Sequence, residues 1–227
     1  MNALEVTALT SGYGTSTVLR NVSLTVPAGE VVAVMGRNGA GKTTLLRSLI
    51  GLLPHEGSVV LNGTEVSELK GHQISQRGMV WVPQDDSVFP GLTVKEHLSI
   101  AARDEDSGAT SAIEMFPILQ ERLTQQAQTL SGGEKKMLSI AQALISRPSL
   151  ILMDEPTEGI APVVVSELML AIEAAANKAA VLLVEQNIDV AVALSTHGYV
   201  LEHGSFVEEG AMQELHESGR LEERLAI

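Results

Sequence analysis

The feature that most constrains the fold is a glycine-rich segment that directly follows a continuous apolar run. The run, residues 31–35, contains three valines, as in a strand buried on both faces of a parallel sheet. The segment after it matches the phosphate-loop pattern G-x-x-x-x-G-K-[ST] and consists of Gly36, Arg37, Asn38, Gly39, Ala40, Gly41, Lys42 and Thr43, followed by Thr44. Because the pattern follows a strand and opens a helical segment, it indicates a phosphate-binding loop and not a chance glycine-rich turn.

Each residue type in this pattern has a chemical purpose. Glycines let backbone N–H groups curl around phosphate oxygens in conformations that a side chain would forbid. Lys42 sets a cation against the β- and γ-phosphates, and Thr43 offers a hydroxyl to Mg²⁺. The helix that begins here directs its positive end at the phosphates. The sequence therefore predicts a site for ATP and Mg²⁺ along residues 36–44.

The arrangement of apolar runs and helical patterns predicts the fold class. Two more apolar runs, residues 150–153 and 180–184, end at acidic residues, and helical periodicity appears at 42–51, 134–146 and 163–178. Strands that alternate with helices predict an α/β fold with a mainly parallel sheet. Stretches in which apolar and polar residues alternate predict a small N-terminal antiparallel sheet, at residues 4–9, 22–26 and 58–61. Residues 200–207 predict a late hairpin with its turn at His203-Gly204.

Length, charge and residue usage exclude several classes of protein. The 227 residues predict a single domain. The net charge of −13, with no basic run longer than Lys135-Lys136, argues against nucleic acid as a partner. The absence of cysteine excludes disulfides and thiolate metal sites. No apolar run approaches the roughly 20 residues of a membrane span, and no secretory leader is evident, so we expect a cytosolic protein that meets a membrane only through a partner.

Two segments are predicted to lie at the surface. Residues 103–110 are charged, small and glycine-containing, which predicts an exposed, mobile connection. Residues 211–227 predict one charged amphipathic helix with a solvated face.

An acidic pair follows the second apolar run. Parallel strands place their carboxyl ends at one edge of a sheet, where ligands bind. At that edge Asp154 can hold Mg²⁺ and Glu155 can polarise an attacking water. The alternative is an acidic pair at a helix start, which is common after strands. The phosphate loop in the same chain favours the functional interpretation.

A second glycine-containing helix start occurs at residues 130–134, Leu-Ser-Gly-Gly-Glu. In the structural interpretation, Ser131 is an ordinary N-cap and the glycines make the turn. A cap does not need both Gly132 and Gly133, however, and a serine with two glycines also makes an anion-binding helix start. One chain thus carries one phosphate loop and two such helix starts, and the second could serve a nucleotide held by another subunit.

Taken together, these residues resemble an ATP-binding-cassette (ABC) ATPase over essentially the whole chain. Leu-Ser-Gly-Gly-Glu is similar to the signature motif of that family. Four further elements occur in the family order: Tyr13 at the position that stacks on adenine, with Val18 nearby; Gln84 at the junction with the helical subdomain; residues 151–155 as the Walker B strand; and Gln186 at the switch position after the next strand.

The resemblance implies a fold and a set of site residues. The fold is a P-loop NTPase with a RecA-like, mainly parallel sheet, an N-terminal antiparallel β subdomain and a short helical subdomain at roughly residues 85–145, within one ABC ATPase domain of residues 1–227. The implied catalytic residues are Glu155, Gln84 and Gln186, and the implied Mg²⁺ ligands are Thr43, Gln84 and Asp154. Each ATP would lie between the phosphate loop of one subunit and Ser131, Gly132 and Gly133 of another.

Finer matches are to the ATPases of branched-chain amino acid and urea-type importers. They are Glu-Met-Phe-Pro at 114–117, Asp-Glu-Pro-Thr-Glu-Gly-Ile-Ala-Pro at 154–162 and Val-Glu-Gln-Asn at 184–187. The implied function is ATP hydrolysis by a dimer, with itself or with a related ATPase, at the cytoplasmic face of the cell membrane. The implied partners are transmembrane permease subunits and an extracytoplasmic solute-binding protein, and these choose the solute.

Three features depart from the family pattern. Gln186 stands where histidine is frequent, and Gln142 stands where arginine is usual. Residues 98–113 form a shorter segment than usual, which trims the helical subdomain on which a permease docks. Glutamine can still donate a hydrogen bond to a γ-phosphate, although it carries no charge.

Two other functions compete with transport. Glu134-Lys135-Lys136 resembles the equivalent stretch of iron–sulfur assembly ATPases, which are not transporters. A nucleotide-dependent nucleic-acid machine is the second alternative, and the acidic surface and the lack of a coiled-coil insertion argue against it.

Overall fold

The computed structural model describes residues 1–85, 88–102 and 115–225. Its strands are β1 (Asn2–Tyr13), β2 (Ser16–Pro27), β3 (Val31–Met35), β4 (His55–Leu61), β5 (Thr64–Glu65), β6 (Met79–Val82), β7 (Leu150–Asp154), β8 (Ala180–Glu185), β9 (His197–Glu202) and β10 (Ser205–Ala211). Its helices are α1 (Lys42–Leu49), α2 (Gly71–Gln76), α3 (Val94–Ala101), α4 (Pro117–Glu121), α5 (Gly132–Ile145), α6 (Pro162–Ala176), α7 (Ile188–Leu194), α8 (Met212–Glu217) and α9 (Arg220–Leu225), with a 3₁₀ turn at Ala127–Thr129. The predicted surface segment 103–110 lies outside the described residues.

The strands form two sheets. The six-stranded sheet has the order β10-β9-β3-β8-β7-β6. Its strands run parallel except β10, which pairs antiparallel with β9. The four-stranded sheet, β2-β1-β4-β5, is antiparallel. The structure therefore confirms the predicted α/β fold, with a mainly parallel sheet and an antiparallel sheet built largely from the N-terminal strands.

Burial on both faces explains the unbroken apolar runs in the sequence. Every residue of β3 is buried. Val32 and Leu182 belong to an apolar cluster shared with the antiparallel sheet and α1. Ile151 and Val181, which point to the opposite face, belong to a second cluster shared with α5 and α6. Because both faces of the parallel sheet are covered, neither face of its central strands can be polar.

The helical part between β6 and β7 is attached to the sheet through α5. Leu98 of α3 and Leu119 of α4 share a buried cluster with Met137 and Ile140 of α5. That cluster also contains Ile151 of β7. Helix α5 thus joins the helical part to the strand that carries the acidic pair. In the part of the chain that the structure describes, no helix combines the length and apolarity needed to cross a bilayer.

The C-terminal segment differs from its prediction. One continuous helix over 211–227 is wrong, because the described part holds two short helices, α8 and α9, separated at Ser218 and Gly219. Gly219 has φ 72°, a left-handed conformation that ends a helix. Both helices also bury apolar side chains against the sheet, among them Leu215 and Leu221. The periodicity reflects packing of this segment on the core, and not a solvated face.

The β9–β10 hairpin supports the phosphate loop, and its predicted turn at His203-Gly204 is confirmed. The Gly204 N–H donates to the Ala40 carbonyl at 3.1 Å, and the Arg20 N–H donates to the Gly204 carbonyl at 2.8 Å. A Cβ on Gly204 would lie 1.7 Å from the Val18 carbonyl oxygen. Only glycine permits this approach, so the turn holds the phosphate loop and β2 together.

Replacing Gly204 should therefore destabilise the protein more than replacing a glycine in open space. Gly204→Ala adds a left-handed penalty of about 1–2 kcal/mol to an overpacking penalty of about 1–3 kcal/mol. Gly29→Ala is the matched control, because Gly29 has φ 75° and no neighbour within 4 Å of an added Cβ. Urea unfolding of both variants, monitored by circular dichroism, measures the loss of unfolding free energy. Equal losses in the two variants would contradict the role of the hairpin contact.

Candidate active site

The phosphate loop connects β3 to α1 and borders a cavity of about 380 Å³. The cavity is lined by nine residues from the loop, β2 and the segments that follow β6 and β7: Val18, Asn38, Gly39, Gly41, Lys42, Thr43, Thr44, Gln84 and Glu155. The structure thus brings together most of the predicted nucleotide-binding residues with two of the predicted catalytic residues. Strands β3, β7 and β8 are parallel, so their carboxyl ends meet at this edge of the sheet.

Three glycines of the loop are required by its geometry. Gly39 and Gly41 have φ 81° and φ 114°, which are left-handed conformations. A Cβ on Gly36 would lie 2.7 Å from the Leu201 carbonyl oxygen. Gly41 is the N-cap of α1 and provides no side-chain cap. Its first-turn N–H groups are therefore available to an anion in the cavity.

The Lys42 ammonium is buried and surrounded by oxygen atoms. Its Nζ donates to the Gly36 carbonyl at 2.6 Å and to the Arg37 carbonyl at 3.0 Å. It also forms an ion pair with Glu155 Oε1 at 2.9 Å, and the two side chains are only 3% and 7% exposed. A phosphate that enters the loop must therefore compete with the Glu155 carboxylate for Lys42.

Asp154 and Thr43 form a site whose chemistry fits Mg²⁺. The Thr43 hydroxyl donates to Asp154 Oδ1 at 3.3 Å. Within the described residues, Asp154 Oδ2 is buried and has no hydrogen-bond partner. Burial raises the pKa of Asp154 to about 6, and the nearby Glu155 charge also raises it, against the opposing effects of Thr43, Lys42 and Lys136. An unsatisfied buried carboxylate oxygen beside a hydroxyl suits a hard cation that keeps its other ligands as water or phosphate.

Glu155 is held in an unusual backbone conformation. Its φ is 44°, in the left-handed region that non-glycine residues rarely adopt. Its N–H donates to the Val184 carbonyl of β8 at 2.8 Å. Such conformations cluster at functional sites, where the surrounding structure imposes them. The conformation directs the Glu155 side chain from the end of β7 into the cavity.

A second carboxylate, that of Glu158, contacts both Gln84 and Glu155. Gln84 Nε2 donates to Glu158 Oε2. Burial raises the pKa of Glu158, and its hydrogen bond and charge interaction with Glu155 raise it further. In this structure Gln84 is therefore engaged by Glu158 while Lys42 is engaged by Glu155. Lys42, predicted to meet the γ-phosphate, and Gln84, predicted as a catalytic residue and Mg²⁺ ligand, are thus both occupied by carboxylates.

A buried glutamate ties the loop after β7 to the loop after β8. Glu185 is 2% exposed. Its Oε1 accepts hydrogen bonds from the Thr157 N–H at 3.1 Å and the Thr157 hydroxyl at 2.7 Å. Its Oε2 accepts from the N–H groups of Gln186 and Asn187 at 3.1 and 3.3 Å. The backbone of Gln186 is thereby fixed relative to the acidic pair.

Several predicted site residues lie outside the cavity. Arg37, Ala40, Tyr13 and Gln186 are not among the described residues that line the cavity. Arg37 and Ala40 instead border a second depression beside the β9–β10 turn. Tyr13 is 45% exposed at the β1–β2 turn, where its hydroxyl accepts from Arg47 Nη1 at 3.3 Å. Asp154 and the signature residues are likewise not part of the lining.

The signature residues have visible structural roles in a single chain. Ser131 is the N-cap of α5, and a capping box joins it to Glu134 through bonds of 3.3 and 2.8 Å. A Cβ on Gly133 would lie 2.2 Å from Val164 Cγ1, so this glycine permits close packing of α5 on α6. These contacts account for Ser131 and Gly133 without a nucleotide. Residues 131–133 are not among the residues that line the cavity beside the phosphate loop of their own chain.

Three residues near the site were not anticipated from sequence. Glu185 appeared as the residue that ends a strand and, like Glu158, as part of a family match, and neither was given a role. Lys136 appeared in a basic pair and in the stretch that resembles iron–sulfur assembly ATPases, with no site role, yet it is 4% exposed. A signal existed for Lys136: it falls on the apolar face of α5, beside Met137 and Ile140.

Comparison with known proteins adds four findings. A sequence model of the ABC transporter family matches residues 19–158. The high-affinity branched-chain amino acid transport ATP-binding protein BraG of Pseudomonas aeruginosa is 40% identical, over 86% of this chain and 87% of that protein. The probable branched-chain amino acid transport ATP-binding protein LivF of Archaeoglobus fulgidus is 36% identical, over 96% of both chains. A solved structure of the ADP conformation of an ATP-binding cassette of an ABC transporter superimposes with a TM-score of 0.88, at 25% identity over 98% of both chains.

The raised pKa of Asp154 predicts a pH-dependent effect of Asp154→Asn. The folded pKa is about 6 and the ordinary value is 3.8. Between those values the folded protein binds more protons at this group than the unfolded chain does, so the free energy of unfolding falls as the pH rises through this window. Asparagine cannot ionise, so the stability gained by Asp154→Asn in the nucleotide-free protein should grow from pH 4.5 to pH 7.

Thermal unfolding in Mg²⁺-free buffer across this pH range measures the effect. Asp189→Asn removes one carboxylate from an exposed position in the first turn of α7 and serves as the control. If the difference in stability between Asp154→Asn and the wild type stays constant with pH, the assigned effect of burial on the Asp154 pKa is contradicted.

Proposed function

The chain belongs to the ABC transporter family of ATPases, and we propose that it powers the import of a branched-chain amino acid, urea or a similar small solute through a membrane permease. The observation that carries this proposal is the 40% identity to a branched-chain amino acid transport ATP-binding protein over 86% of the chain. Both relatives compared above are named for transport, so the iron–sulfur assembly alternative is not favoured. The net charge of −13 argues against a nucleic-acid machine.

In the proposed mechanism ATP binds along the phosphate loop. The N–H groups at the start of α1 and the Lys42 ammonium contact the phosphates, and the adenine stacks on Tyr13 beside Val18. Bound Mg²⁺ would neutralise phosphate charge, and we assign Thr43, Asp154 and Gln84 to hold it. The open oxygen of Asp154 and its bond to Thr43 support this assignment.

ATP binding would also release the catalytic carboxylate. In this structure Glu155 is paired with Lys42. A γ-phosphate that takes over the ammonium frees Glu155 to orient and polarise a water for in-line attack. Gln84, once released from Glu158, and Gln186 at the end of β8 would contact the same phosphate. Phosphoryl transfer depends mainly on such positioning and charge neutralisation, with little covalent work for the protein.

The complete site would need two chains. Residues 131–133 do not line the cavity of their own chain, which supports their assignment to the nucleotide of a partner ATPase, either a second copy or a related subunit. Closure of two chains around ATP would then act on the permease, and hydrolysis would reopen them. The ATPase would sit at the cytoplasmic face of the membrane, with a solute-binding protein on the other side of the permease.

A groove beside the helical part is a suitable docking surface for the permease. It has a volume of about 320 Å³ and lies between β6, α3 and α5, with Trp81, Phe89, Ala101 and Gln142 among its lining residues. Phe89 is 57% exposed at its edge. Within the described residues, Trp81 Nε1 is buried without a hydrogen-bond partner. A cytoplasmic helix of the permease could cover the exposed ring and accept from the indole N–H.

Glu155→Gln should separate ATP binding from hydrolysis. Glutamine keeps the size of the side chain but cannot act as a base, so ATP binding should persist while turnover falls by about 10²–10⁴-fold, the usual worth of a positioned base. ATP should then hold the chain as a dimer in size-exclusion chromatography. Glu173→Gln, on the exposed side of α6, is the control and should behave as the wild type. Near-normal turnover of Glu155→Gln would overturn the assigned role.

Purification from native membranes tests the transport assignment. The tagged wild-type chain should recover transmembrane permease subunits, and Phe89→Asp should recover far less permease while binding ATP normally. Val207→Asp, an exposed change on β10, should leave recovery unchanged. Cells that lack this protein should lose energy-dependent uptake of labelled leucine or urea. Recovery of soluble partners alone, or unchanged uptake of both solutes, would contradict the proposal.

A further inference from the structure

Lys136 is a buried lysine that the mechanism above does not use. It lies in the second turn of α5 and is 4% exposed. Lysine is almost never fully buried unless its ammonium is satisfied by the protein, because removing the charge from water is costly. A buried ammonium in the helix that begins with the signature residues therefore indicates a specific task.

The Lys136 ammonium binds the main chain at Gln84. Its Nζ donates to the Pro83 carbonyl at 2.8 Å and also to the Gln84 carbonyl. Gln84 follows β6 and lines the nucleotide cavity. The contact thus joins a residue that lines the cavity to a helix whose first residues do not line it.

A second set of contacts attaches residues 89–97 to α5. Gln142 Nε2 of α5 donates to the His97 carbonyl at 3.0 Å. The His97 ring is fully buried; its Nε2 accepts from the Phe89 N–H at 2.8 Å, and its Nδ1 lies 2.9 Å from the Thr93 carbonyl. Helix α5 therefore holds the chain at residues 83–84 and, through His97, at Phe89. Gln142, which departs from the usual arginine, has a defined partner here.

We propose that Lys136 is a positioning residue that couples Gln84 to the signature turn at residues 131–133, so that engagement of Gln84 by one nucleotide aligns the turn for the nucleotide of the second chain. The inference rests on the proposed two-chain ATPase. Lys136 stands one helical turn from residues 131–133, and a helix transmits a displacement between adjacent turns because its backbone is hydrogen-bonded throughout. A donor with two carbonyl acceptors fixes the direction of the Gln84 segment as well as its distance.

Lys136→Met tests the proposal, because methionine keeps the apolar stem but removes the donor. In the full-length chain we expect kcat for ATP hydrolysis to fall about tenfold to a hundredfold, the cost of misplacing a positioned group by about 1 Å. KM and the binding of a fluorescent ATP analogue should stay close to the wild-type values, since a loss confined to kcat marks an interaction made only in the transition state. Lys136→Arg, which restores a donor, should recover most of the rate.

Two controls separate coupling from a general loss of stability. Lys95→Met removes the same charge from an exposed position of α3 and should leave kcat unchanged. Gln84→Ala removes the side chain through which Lys136 is proposed to act, so adding Lys136→Met to it should lower kcat no further. If Lys136→Met fails to fold, Gln142→Met, which breaks the second attachment, should show the same loss of kcat at constant KM.

The outcomes are distinct. A normal kcat for Lys136→Met, a parallel loss of nucleotide affinity, or multiplicative effects with Gln84→Ala would each overturn the coupling role while leaving the ATPase assignment intact. A wild-type chain without ATPase activity would overturn the proposed function and the inference with it.

Discussion

The buried ion pair between Lys42 and Glu155 organises the site around it. An ammonium removed from water needs several acceptors, and here two loop carbonyls and a carboxylate provide them. The carboxylate reaches Lys42 because the backbone of Glu155 adopts φ 44°. The site without phosphate is thus internally neutralised, with a carboxylate in the place that a phosphate is expected to take. Binding and activation are linked, since a ligand that displaces Glu155 from Lys42 also frees the proposed base.

The surrounding fold serves to bring these groups together from distant parts of the chain. Lys42 follows β3, the acidic pair follows β7, and Glu185 ends β8, and these strands are parallel neighbours. Their carboxyl ends meet at one edge, where the β9–β10 hairpin supports the phosphate loop through Gly204. Helix α5 then connects this edge to the helical part, both by apolar packing and by the Lys136 ammonium. Under the proposed coupling, the position of the helical part would respond to what occupies the cavity.

The signature turn shows that a structural and a functional interpretation need not exclude each other. Ser131 forms a capping box, and Gly133 lets α5 pack closely on α6. Both features also fix the first turn of α5, as the proposed contact with a partner's nucleotide would require. In the same way, Gln142 has a local partner in His97 while it lines the groove assigned to the permease.

Sequence by itself determined the α/β class, the phosphate loop, the acidic pair and the hairpin turn. These depend on local rules: the spacing of glycines, apolar runs between helical patterns, and turn residues. Only the tertiary structure decided that the C-terminal segment breaks at Gly219 and packs on the core, because a short amphipathic pattern does not specify which surface will cover it. The same holds for Lys136, Glu158 and Glu185, whose roles come from partners about 28 to 74 positions away. From sequence alone, a charged residue is expected to lie in solvent. When the fold buries it, its charge must be satisfied by the donors or acceptors that the fold places around it.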